Sequence, residues 1–228
     1  MGFFKKVAAI IAKDLKLELR TLESLSAMLL FSLIVMVIFA FAFDFATIKA
    51  VGKGRLIPGV IWITLTFSSI IGFNHSFAIE RERECLLALI LSPVDPSAIY
   101  LGKAIANFII VSILEVILLP LSAIFFDFDL LAVLPALSLI VIVNTIGFAG
   151  IGTLFAALAS KVKRSEAVLS ILLFPISFPL IISAVKSTSA VLEGKDLSSY
   201  SNWLSVSAGF DVIFFFAAIA LFEFIIED

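Results

Sequence analysis

The sequence predicts an all-α integral membrane protein, with six transmembrane helices preceded by an amphipathic helix lying in the membrane interface. Three observations carry this reading. Hydrophobic residues make up 62% of the 228, mean hydropathy is +1.21, and charged residues supply only 15%, where a soluble domain carries about 25%. The apolar residues are collected into long runs, and a bilayer core of ~30 Å needs roughly 20 of them per helix. Alternation at period two, the mark of a membrane barrel, is absent. Lipid offers backbone groups no hydrogen-bond partner, so each run must close its own bonds as a helix.

Residues 3–23 come first and differ from the rest. Phe4, Val7, Ala8, Ile11, Leu15, Leu19 and Leu22 share one helical face, and Lys5, Lys6, Lys13, Lys16 and Arg20 gather opposite. This is the pattern of a helix lying in the interface with its lysines toward anionic headgroups; a short cytosolic helix is the competing reading. Glu18 falls on the apolar face as a misfit that snorkels or pairs with a neighbouring base. Spans follow at about 25–43, 56–79, 99–126, 130–159, 167–185 and 206–226. The first is too long, and its upstream flank too charged, for a cleaved signal peptide.

Span 2 opens with Pro58-Gly59-Val60-Ile61-Trp62, since proline suits a first turn and tryptophan an interfacial depth. Asp127-Phe128-Asp129 leaves room only for a tight hairpin between spans 3 and 4. Gly147, Gly150, Gly152 and Ala156 let span 4 approach its neighbours closely. Pro175 and Pro179 are expected to bend or break span 5, and residues 186–205, rich in serine, read as the longest outer segment. No repeat, low-complexity tract or soluble domain is visible, so 1–228 reads as one permease domain.

With the N-terminus inside, the outer segments hold Lys49, Lys53, Arg55, Lys186 and Lys195, and the inner ones hold the other eleven of 16 Lys and Arg. That asymmetry places both termini in the cytoplasm of a multi-pass protein. A formal net charge of −2 makes nucleic acid an unsuitable partner. Cys85 is the single cysteine, so no intramolecular disulfide exists.

Catalytic patterns are missing. G-x-x-x-x-G-K-[ST], G-x-G-x-x-G, C-x-x-C, C-x-x-C-H and H-E-x-x-H do not occur, and one histidine cannot serve a Ser/His/acid set. The chain is not expected to be an enzyme; no catalytic residue or metal site is assigned, and no cofactor. His75, beside Asn74 near the inner end of span 2, is either a haem ligand or a polar residue bonded to a neighbouring helix; Met28, Met36 and Tyr100 are lesser candidates. Glu115, deep in span 3, is a candidate intramembrane polar site with Asn107 and Asn144, against a plain packing role. Asp211 and Glu223 are expected to snorkel from the ends of span 6.

The densest charge lies at Glu80-Arg81-Glu82-Arg83-Glu84, followed by Ser92, Pro93 and Asp95. Exposed ion pairs contribute only ~0–1 kcal/mol, so internal stability does not explain the run; a solvated turn is the plain alternative. The apolar stretch 86–91 and the prolines after it suggest a short amphipathic element over 80–98, stopped by a rigid turn and shaped for a groove on a partner, with charges setting register.

Taken together, these features resemble an ABC-2-type exporter permease of type V architecture. Within that group the chain is similar to the haem exporter protein B (CcmB) family of cytochrome c maturation. The resemblance lies in Pro58–Trp62 with Ser68-Ser69, Leu91–Asp95 through Leu101-Gly102-Lys103, Gly147–Gly150, Leu169–Leu172 and Pro175–Leu180, in family order; residues 186–228 match only in hydropathy. It implies a homodimer in the cell inner membrane, served by a cytosolic ABC ATPase subunit (CcmA-like) that supplies ATP hydrolysis. It further implies a haem-handling membrane subunit (CcmC-like) and a periplasmic haem chaperone (CcmE-like), with haem as substrate. By position, Glu80–Glu84 and Ser92–Asp95 become the ATPase-coupling element. The chain lacks a tryptophan-rich haem-binding motif. A permease for a lipid, polysaccharide or drug, and a proton-coupled secondary transporter using Glu115, are the alternatives.

Overall fold

The computed structural model describes residues 2–43, 48, 50–82, 94–162 and 165–227. Its helices are α1 (Phe3–Thr21), α2 (Glu23–Ala42), α3 (Lys53–Glu82), α4 (Pro96–Phe126), α5 (Leu130–Ser160), α6 (Ser165–Leu192) and α7 (Ser201–Glu227), with a 3-10 turn at Leu197–Ser199 and no strand among the described residues. Each of α2 to α7 contains a stretch long and apolar enough to cross a membrane. The chain is an all-helical integral membrane protein.

Packing ranks the spans. α3 touches α2, α4, α5 and α6, while α7 lies against α4, α5 and α6. Accordingly 72% of the most apolar stretch of α3 is buried within the protein, against 11% for α7. α3 is the hub of the bundle, and α7 lies at its periphery with most of its surface outside the bundle. α4 and α5 have 31 residues each, about 46 Å at 1.5 Å per residue. Both outrun the ~30 Å hydrocarbon layer, so their ends reach the interfacial depth.

Helix ends follow local chemistry. Asp127 takes the left-handed conformation (φ 50°) that closes α4, and Asp129 starts α5 by accepting from the amides of Leu131 (3.1 Å) and Ala132 (3.3 Å). Both acids of the hairpin turn are thereby explained. Lys53 Nζ, from the start of α3, reaches Asp127 and ties that hairpin to the hub.

Four expectations need correction. Pro175 and Pro179 do not break span 5: both lie within α6, which is continuous from Ser165 to Leu192, and a span packed against α3, α5 and α7 tolerates the two missing amides. The spans expected to end at 185 and to begin at 206 reach further, because α6 continues to Leu192 and α7 begins at Ser201, so most of the outer segment 186–205 is helical. Two of its polar residues face protein rather than water: Ser187 and Thr188 are fully buried, and Thr188 Oγ1 accepts from Trp62 Nε1 at 2.9 Å. Pro96 opens α4 instead of closing a preceding helix. Asp211 stands in the first half of α7, well inside it, with its carboxylate over Gly147 of α5 rather than snorkelling.

Glu18 supplies the fifth difference. The buried stripe of α1 is Val7, Ile10 and Glu18, with Asp14 partly enclosed, and it packs on α4. Phe4 and Leu19, of the expected apolar face, remain 85% and 65% exposed, toward lipid. Thus Glu18 belongs to a third, protein-facing stripe. Its Oε1 accepts from the Leu25 amide at 2.6 Å, filling the cap position of α2 that Leu22 (φ 52°) cannot supply from its side chain. One carboxylate so fixes the corner between α1 and α2.

Candidate functional site

The coupling element divides in two. Glu80, Arg81 and Glu82 extend α3 through its last turn. Their side chains, and Arg83, Glu84, Ser92 and Pro93 entirely, lie outside the described residues, as do Cys85 and the side chain of Glu223. Asp95 is described: it caps α4, accepting from the Ser97 amide at 2.9 Å and from the Ser97 hydroxyl. Those two bonds, the hydroxyl first, hold its carboxyl below the usual carboxylate range. Asp95 therefore serves as an N-cap, which fixes where α4 starts and how it leaves the charged segment.

The intramembrane residues separate into layers. Glu115 is 3% exposed and accepts a hydrogen bond from Thr145 of α5. Asn144, one residue earlier on α5, gives its Nδ2 to the Ile140 carbonyl (2.8 Å) and accepts from Ser207 of α7 through Oδ1 (2.8 Å). Ser207 and Ser183 share a 2.6 Å contact, and Ser183 donates to the Trp203 carbonyl. Asn107 stands eight residues before Glu115 on α4, about 12 Å along the axis, and donates to Thr153 at 2.9 Å. Glu115 and Asn144 thus border one crevice, with Trp62, Thr66, Ser69 and Thr145, while Asn107 belongs to a separate contact. The crevice has free space of about 20 Å³, enough for one water molecule and far short of a porphyrin.

The hydroxyls at 145, 153, 183 and 207 were not singled out from the sequence. In lipid a serine or threonine returns its proton to its own helix, as Thr153 does to Ala149 (2.7 Å), and its hydropathy is unremarkable. Thr145 adjoins Asn144, and Ser207 stands four residues before Asp211; that proximity is the signal that was available.

His75 sits in a crevice of about 30 Å³ with Asp14, Glu18, Ser24, Gly72 and Ser76. Its Nε2 is 3.8 Å from Glu23 Oε2, with no hydrogen-bond partner among the described residues. The opening is water-sized and bordered by acids. Met28 and Met36 are enclosed in the core, and the Tyr100 hydroxyl donates to the Gly150 carbonyl at 3.2 Å. No group of three or more His, Cys, Asp or Glu able to hold a metal exists among the described residues.

Six apolar helices, one of them an enclosed hub, with water-sized polar crevices and no catalytic or metal cluster among the described residues, define the class: a polytopic helical membrane protein. The sequence matches the family described as CcmB protein over residues 5–225. It is 24% identical over 190 residues to "Heme exporter protein B" of Bradyrhizobium diazoefficiens, covering 82% of this chain and 83% of that protein. It is 26% identical over 188 residues to the protein of that name from Rhodobacter capsulatus (82% and 84% covered), and 25% over 150 residues to that from Pseudomonas aeruginosa (66% and 67% covered). The chain belongs to the CcmB family, and the match runs beyond residue 186, where hydropathy alone had suggested it.

Proposed function

We propose that this chain is the membrane permease subunit of an ABC transporter complex for cytochrome c maturation. It couples ATP hydrolysis by a separate ATPase subunit to haem export or to release of a haem-loaded chaperone. The observation that carries this is membership of the CcmB family along almost the whole chain. The absence of any phosphate-binding loop from the sequence supports a partner for ATP hydrolysis. In this reading the protein is a homodimer in the cell inner membrane with both termini cytoplasmic. Its neighbours are the ATPase, a haem-handling membrane subunit and a periplasmic haem chaperone.

Residues 80–95 form the coupling element. Closure of two cytosolic domains moves helices only through a stiff contact. The last turn of α3 and the Asp95-capped start of α4 are the two rails on which such a contact would act. Reversing the charges with Glu82→Lys and Glu84→Lys abolishes co-purification of the ATPase in mild detergent. Undiminished co-purification and ATP turnover in that double variant would refute the docking role. Affinity purification of the native chain, with partners identified and a visible spectrum taken for haem, tests the wider assignment.

A further inference from the structure

The sequence motif Leu101-Gly102-Lys103 has no role in the polar layers or in the docking element. Lys103 lies in the eighth position of α4 and is fully buried. Its Nζ is 3.3 Å from Asp14 Oδ2 of α1 and 3.2 Å from the Ser76 carbonyl of α3, and stands 4.5 Å from the centre of the Phe77 ring, also on α3. One ammonium group therefore binds a carboxylate, a main-chain acceptor and an aromatic face on two other helices.

Gly102 makes this possible. A methyl group on it would meet Ile10 Cβ and Cγ2 at 2.8 Å and the Val7 carbonyl at 3.3 Å, so α1 lies directly on the backbone of α4 there. A buried charge within a membrane helix is unfavourable unless it is paired, and such residues serve more than packing. The place is telling, because Ser76 and Phe77 are just before the end of α3 and Lys103 is just after the start of α4. The chain leaves α3 and returns through α4 on either side of the charged segment.

We propose that Lys103 is the positioning residue that joins α1, α3 and α4 into one unit. Force applied to the 80–95 element, in the functional reading above on which this part rests, is then passed to the interfacial helix as well as to the spans. α1 would act as a moving lever of the machine rather than as a passive anchor on lipid. Lys103→Met removes all three contacts, Asp14→Asn weakens one of them from outside the bundle, and Lys103→Arg keeps the charge.

Two measurements separate the clamp from the function it serves. By hydrogen exchange on the purified protein in lipid nanodiscs, Lys103→Met and Asp14→Asn raise exchange of α1 amides about tenfold, leave α5 and α6 unchanged, and Lys103→Arg restores the native rate. Native α1 exchange in both neutral variants overturns the proposal. In cells that depend on this chain for cytochrome c, Asp14→Asn lowers haem-bearing cytochrome about fivefold or more while ATPase co-purification persists, and Lys103→Arg is close to native. Native cytochrome levels in Asp14→Asn, or loss of co-purification along with cytochrome, overturn it too, the latter because the residue would then shape the docking surface itself. A native chain that supports no cytochrome maturation defeats the functional reading instead, and the exchange result then decides the clamp alone.

Discussion

The α1 end of the molecule and the middle of the bundle are held together by different chemistry. At the α1 end, enclosed charged groups hold the helices together: Lys103 binds α1 and α3, and Glu18 caps α2. In the middle, neutral hydroxyls and amides form the bridges between helices, as in Asn107 with Thr153, Ser207 with Asn144 and Ser183, and Ser32 with Ser68 (2.6 Å). Buried ion pairs are sensitive to loss of either partner, by ~3–5 kcal/mol, whereas interhelical hydroxyl bonds in membranes average ~0.6 kcal/mol. The difference separates a joint from a sliding surface. A permease needs both: something rigid to receive force, and helices that repack with little resistance.

Within the middle of the bundle, steric misfit has the largest effect. Gly152 of α5 lies against the ring of Phe73 from the hub helix, and that ring also packs on Phe148 with centroids 5.6 Å apart. Gly152→Leu forces α3 and α5 apart and destabilises the protein by about 1–3 kcal/mol, seen as a lowered thermal midpoint in detergent and aggregation on size exclusion. An unchanged midpoint would mean that the hub is not closely packed there.

Next in size is the cap at the start of α4. Asp95→Ala removes both bonds to Ser97 and lowers stability by about 1 kcal/mol, measured as faster exchange of the first-turn amides. The effect depends on pH with a fixed sign. Because the folded-state carboxyl titrates below its ordinary value, its contribution is complete above about pH 4 and is lost as pH falls through the lower folded value. The gap between native and variant exchange therefore narrows only in acid; a gap that narrowed above neutrality would contradict the assignment.

The smallest effect belongs to the hydroxyl layer. Ser207→Ala breaks the links to Asn144 and Ser183 and lowers the unfolding free energy in detergent by ~0.6 kcal/mol. A loss several times larger would erase the distinction between the two regions.

Hydropathy made the spans legible because lipid imposes one rule on every residue of a helix, and Asp127-Phe128-Asp129 announced its hairpin because both acids close or start a helix at their own position. What stayed hidden depends on partners far along the chain. A helical wheel sorts Glu18 and Asp14 by polarity, but their targets are the Leu25 amide and Lys103, and only the folded corner brings those together. Likewise Ser187 and Thr188 fall in the serine-rich outer segment of the sequence reading, because nothing near them in sequence discloses that Trp62 stands opposite. Asn107 was grouped with Glu115 on chemical type, and the rise of the helix then separated them.

The Asp14–Lys103 pair spans 89 residues of sequence, and that separation has a consequence for biosynthesis. At ~5–20 residues per second, α1 leaves the ribosome on the order of ten seconds before its partner lysine. Throughout that interval Asp14 has no Lys103, and α1 must wait on the membrane surface while two spans are threaded. When α4 enters, it brings a lysine that lipid rejects unless the waiting helix folds over it. Docking of α1 thus comes late: the lysine gains its carboxylate only when the waiting helix folds against the newly inserted third span.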